Sequence, residues 1–79
     1  MAHEKGKIYK MEARDINIKV RLFVIATRCS TTVIEGTVLL DCSSKPSYKT
    51  GQQWKWHNSS FVESSLKEAA EYEAKYVKQ

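Results

Sequence analysis

"INIKVRLFVIATRCSTTVIEGTVLLDC" spans residues 16–42, and its reading decides the fold. Ile16, Ile18, Val20, Leu22, Val24 and Ala26 fall on every second position, the period of a pleated strand with one buried face. A second β-branched run follows from about Thr31 to Cys42. A short loop at 29–31 would join them as a hairpin, with 26 facing 34, 24 facing 36, 22 facing 38, 20 facing 40 and 18 facing 42. That register makes one unbroken apolar face of the even positions and sets Lys19 opposite Asp41 on the other. A one-residue slip would push Glu35 and Asp41 among the aliphatics, so it is disfavoured. The hairpin also holds Cys29 and Cys42 at opposite ends, roughly 30 Å apart, too far for a disulfide.

On the N-terminal side, residues 1–7 read as a flexible tail, and Lys7–Met11 as a short extra edge strand. On the C-terminal side, residues 43–53 hold the single proline and Gly51 and read as a loop. Trp54–His57 gives a short third strand. The final segment is a helix whose start lies near Phe61 or near Leu66, since Ser60-x-x-Glu63 and Ser65-x-x-Glu68 both match a capping box. Val62, Leu66, Ala69, Ala70, Tyr76 and Val77 share one helical face. The expected architecture is α+β: a three-stranded antiparallel sheet, with a short fourth N-terminal strand as an addition, and one C-terminal helix on one face. Residues 8–79 form its single domain, because 79 residues cannot build two cores.

The helix must cover one sheet face, and the even-numbered face is the more continuous. Trp54 and Trp56 project to that side, so both indoles are expected inward beneath the helix. A small chain has few other large groups to bury. The opposite face then presents Lys19, Arg21 and Lys55, with Lys49 and Lys45 from the loop and Arg28 near the hairpin end. It also presents Phe23, Ile25 and Leu39, an apolar patch unusual on a solvated antiparallel face.

Charge supports a binding role. Residues 1–60 carry seven Lys and three Arg against five Asp and Glu, whereas residues 61–79 carry three Lys against four Glu. The first expectation is a small non-enzymatic module that binds nucleic acid, or regulates, through Lys19, Arg21, Lys49 and Lys55. The alternative is a protein-binding module or small inhibitor, dimeric or not, that uses Phe23, Ile25 and Leu39. No cofactor, metal or small-molecule substrate is indicated. Cys29, Cys42, His3 and His57 lack zinc-ligand spacing, no G-x-S-x-G turn occurs, and the three glycines are isolated. Without an 18-residue apolar run or a signal-like N-terminus, the expected location is the cytoplasm, with both cysteines as free thiols.

Three strands followed by Phe61-x-x-x-Ser65-x-x-Glu68-Ala69-Ala70 resemble plant AP2-type and integrase arm-binding DNA domains. In those families the sheet reads DNA and the helix braces it. The resemblance covers the last third of the chain and lacks those families' arginine-dense first strands.

Overall fold

The computed structural model describes residues 3–14 and 19–77. Five strands precede the helix: β1 (Ile8–Arg14), β2 (Lys19–Cys29), β3 (Val33–Asp41), β4 (Gln53–His57) and β5 (Phe61–Glu63). A 3₁₀ turn (Asn58–Ser60) links β4 to β5, and α1 covers Leu66–Tyr76. The strands form one antiparallel sheet in the order β4-β3-β2-β1-β5. The α+β class holds, but the expectation of three strands with a short fourth is corrected to five. With it goes the three-strand pattern on which the likeness to sheet-reading DNA domains was drawn.

Both additional strands have physical causes. In β1, Tyr9 and Met11 turn into the core while Lys10 and Glu12 face the other way, and the strand pairs with β2 from Ile8↔Ile25 to Arg14↔Lys19. β5 is three residues long and pairs with β1 at Tyr9↔Glu63, Lys10↔Val62 and Met11↔Phe61. Its capping-box look was deceptive. The helix cap is Ser65, whose side chain accepts a hydrogen bond from Glu68 N, and Glu63 belongs to the strand.

The link between β4 and β5 forces the sheet to curl. Those strands are at opposite ends of the order, which in a flat sheet would put them about 19 Å apart, four spacings of ~4.8 Å. His57 to Phe61 can span at most ~14 Å. The sheet therefore rolls until its ends approach, and the rings of Trp56 and Phe61 meet at 5.7 Å. Two register irregularities, between Phe23 and Val24 and between Ala26 and Arg28, add the local bend that bulges supply. They also move the hairpin pairing two residues from the expected register, to Val24↔Val38 and Ala26↔Gly36. Between the irregularities a shift of two keeps the side chains on their faces, whereas beyond them, at Leu22↔Asp41 and Arg28↔Glu35, the shift is three, and Leu40 and Cys42 join Phe23 on the other face. Ile16 and Ile18 lie outside the described residues.

Rolling creates two apolar clusters. The concave one holds Tyr9, Leu22, Val24, Ala26, Ile34, Val38 and Phe61, with Met11, Cys29, Tyr48 and Trp56 packed against it. The convex one holds Phe23, Cys42 and Ala69, with Leu39, Leu40, Tyr72 and Tyr76 against them. The helix thus covers the face opposite to the expected one. The concave face needs no helix because the curled sheet and the 43–52 loop cover it. Phe23 is fully buried, and its ring meets Tyr72 edge-on at 5.0 Å. Arg21 is buried too: its guanidinium lies 3.8 Å from the Tyr76 ring centre, and its Nε donates to Cys42 O. Lys10 fixes the other end of the helix by donating to Glu68 at 2.8 Å.

Of residues 1–7, the described ones run from 3 to 7. Gly6 N donates to Ala26 O, Ala26 N donates to Lys7 O, and His3 Nε2 sits 2.8 Å from Phe61 O. Among the described residues no helix is long and apolar enough to cross a membrane.

Candidate nucleic-acid interface

β4 carries the two indoles, and its neighbours give them different fates. Trp56 pairs with Ile34 and turns into the concave cluster, where Phe61 and Tyr48 meet its ring at 5.7 and 5.5 Å. Its Nε1–H is buried with no acceptor among the described residues. Trp54 pairs with Gly36, which has no side chain to lie beside it. Nor can position 36 carry one, because a Cβ there would come within 2.5 Å of Ile25 O. Trp54 is consequently 56% exposed, flanked by Tyr48 at 6.5 Å. The expectation that both indoles lie inward beneath the helix fails: Trp54 is exposed, and Trp56, though turned inward, packs on the face that α1 does not cover.

Tyr48 is set in place by the 43–52 loop, which Asp41 organises. The Asp41 carboxylate accepts from Ser43 N, Ser47 N and Tyr48 N at 2.9–3.1 Å. This use of Asp41 replaces the expected couple with Lys19; in the sheet it pairs with Leu22 instead. The loop closes through Gly51 N to Val38 O and Gln52 N to Lys49 O, with Gly51 at φ +90°, a conformation that favours glycine. Tyr48 and Trp54 therefore form an aromatic step held on ordered backbone.

Exposed cations lie on the neighbouring elements, with Lys55 on the face of β4 opposite to Trp54. Lys45, Lys49, Lys55 and Arg28 are exposed, and none of them forms an ion pair among the described residues. Residues 19–59 contain six Lys and Arg against Glu35 and Asp41. Glu4, Glu63 and Glu68 are engaged elsewhere, with Lys7 and Lys10 on the β1–β5–α1 side. Lys45, Lys49, Lys55 and Arg28 thus lie on the 43–52 loop, β4 and β2, away from the β1–β5–α1 side.

Of the four cations expected to bind nucleic acid, Lys49 is exposed in the 43–52 loop and Lys55 on β4. Lys19 is exposed at the start of β2, and Arg21 is spent on holding Tyr76. The apolar residues expected as a protein interface do not form a surface patch. Phe23 is buried under α1, Leu39 is half-buried against the same cluster, and Ile25 is half-buried. Trp54 and Tyr48 were not among the expected site residues. The signal for Trp54 was Gly36 across from it, visible only once the register is known.

Beside the step, between the hairpin end and β4, lies a cleft of about 430 Å³. Cys29, Val33 and Trp56 contribute apolar surface to it, and Arg28, Glu35 and Lys55 are its charged lining. Burial pushes the Cys29 thiol above its ordinary range, which keeps it protonated at neutral pH. His57, at the end of β4, caps the 3₁₀ turn: Ser59 N donates to its ring, and its Nδ1 is 2.9 Å from Ser59 Oγ. Among the described residues no group of three His, Cys, Asp or Glu is placed to hold a metal ion.

No family model matches the sequence, and neither a curated protein nor a solved structure is detectably similar to it.

Proposed function

We propose that this chain is a small binding module for single-stranded nucleic acid, which it contacts through the Tyr48–Trp54 step and the cations Lys49, Lys55 and Arg28. The observation that carries the reading is Trp54, a tryptophan left 56% exposed in a chain with only two. A duplex hides its base faces, whereas an unstacked strand can lay them on exposed rings while lysines follow the phosphates. Each stacked base contributes about 1–3 kcal/mol, and the lysines add a salt-dependent term. The two thiols, one buried and one half-buried, are free and support a reducing compartment such as the cytoplasm.

Fluorescence anisotropy with matched single-stranded and duplex DNA over a range of salt tests this. The single strand should bind more tightly, and Trp54→Ala should weaken it by about tenfold or more. Equal affinity for both forms together with no effect of Trp54→Ala would refute it.

A second reading, protein binding, now rests on the open edge of β4. Asn58 N donates to Thr32 O and Val38 N to Gln52 O, which fixes the hydrogen-bonded pairs of the β3–β4 ladder. By alternation, the backbone groups of Gln53, Lys55 and His57 point away from β3, where an extended peptide could add a strand. Binding of that kind would survive Trp54→Ala.

A further inference from the structure

The aromatic step explains affinity for a strand of any sequence, because every base has a face to stack. The neighbouring cleft contains more than stacking requires. Arg28, Glu35 and Lys55 sit side by side on β2, β3 and β4, paired in register as Arg28↔Glu35 and Glu35↔Lys55. Such a row would ordinarily close into salt bridges across the strands. It does not: neither cation lies within 4.0 Å of the carboxylate. An acceptor and two cationic donors therefore remain uncommitted around one cavity, whose apolar wall is Val33, Cys29 and Trp56.

A ligand that satisfies all of these groups has an apolar planar body, a hydrogen-bond donor for Glu35 and an anionic group for Arg28 and Lys55. A nucleobase with an exocyclic amine, attached to its phosphate, has all three. We infer that the cleft takes one unstacked, amino-bearing base of the bound strand, with Glu35 accepting from the amine and Arg28 and Lys55 contacting the phosphate. This rests on the single-strand reading and adds to it a preference among bases. At the same ring position cytosine offers the N4–H₂ donor where thymine offers the O4 acceptor, which would face the carboxylate unfavourably and leaves thymine only its N3–H to donate. At about 430 Å³ the cavity lies within the ordinary range for small-ligand sites.

The test compares short cytosine-only and thymine-only DNA strands of equal length at neutral pH, by anisotropy, with the wild-type chain, Glu35→Gln and Trp54→Ala. Wild type should bind the cytosine strand about fivefold to tenfold more tightly. Glu35→Gln should remove that preference, since an amide can donate to thymine O4 and accept from cytosine N4. Trp54→Ala should weaken both strands while keeping their ratio. Equal binding of the two strands by wild type, with Trp54→Ala still weakening both, overturns the inference and leaves the single-strand reading standing. A cytosine preference that Glu35→Gln leaves intact overturns the role given to Glu35. Failure of both strands to bind removes both proposals.

Discussion

Phe23→Ala separates the observed packing from its alternative. Phe23 is fully buried between the sheet and α1, where it touches Ala69 and Cys42 and meets Tyr72 edge-on at 5.0 Å. Truncating a phenylalanine in such a place costs about 3–5 kcal/mol, the lost transfer energy plus the cavity left behind. A domain of this size has a margin near the low end of about 5–15 kcal/mol, so most of its stability would go. At about 4–8 °C per kcal/mol, the midpoint should fall by at least roughly 12 °C. Urea unfolding followed by circular dichroism reads this directly, with Val62→Ala as the control. Val62 is 57% exposed, and its truncation should stay within about 0.5 kcal/mol. A double-mutant cycle with Tyr72→Ala should return a coupling of about 0.5–1.5 kcal/mol, because that ring pair exists only if the helix covers this face. A loss below about 1 kcal/mol for Phe23→Ala, the size expected of a solvent-facing side chain, would refute the placement of α1.

Gly36→Ala should destabilise by about 1–3 kcal/mol in the same unfolding assay, because its Cβ meets the backbone oxygen of Ile25 at 2.5 Å and neither strand can yield cheaply. The Glu68 carboxyl is held below its ordinary value of 4.5 first by the Lys10 ammonium and then by the Ser64 hydroxyl, both donating to it. A lowered carboxyl contributes stability that is present above its unfolded value and lost as pH falls through the folded one. Glu68→Gln should therefore lower stability at neutral pH by up to about 1 kcal/mol, as befits a partly solvated pair, and flatten the decline below pH 4.5. Burial raises both thiols, so Cys29, half-buried, should react with a thiol reagent slowly in the native state and Cys42 only on unfolding.

The hairpin was legible as a local pattern, the alternation from Val20 to Ala26, and the helix cap was narrowed to two candidates, of which Ser65 with Glu68 is the one used. β5 was not legible, since three residues carry no period and Ser60 with Glu63 imitates a cap. The choice of face failed for a different reason. β2 is apolar on both sides, with Leu22 and Val24 on one and Phe23 on the other, so the pattern does not say which side a helix takes. The helix stripe was little help. Leu66 and Val77, which seemed to belong to it, are exposed, while Tyr72 is the residue that docks. What decides the face is the short link from His57 to Phe61, a closure constraint that acts through strand order rather than through any local run. Trp54 was hidden for another reason: its exposure follows from pairing with Gly36 in the β3–β4 ladder, and the long 43–52 connection leaves that register open to the sequence.

The most direct test of the proposed function uses Trp56→Phe, which leaves Trp54 as the only indole, and follows acrylamide quenching with and without a saturating single-stranded oligonucleotide. Trp54 should emit at long wavelength and quench readily in the free protein, then shift and become protected when the strand is bound. An indole already shielded in the free protein, or one whose quenching is unchanged at saturation, would contradict the account.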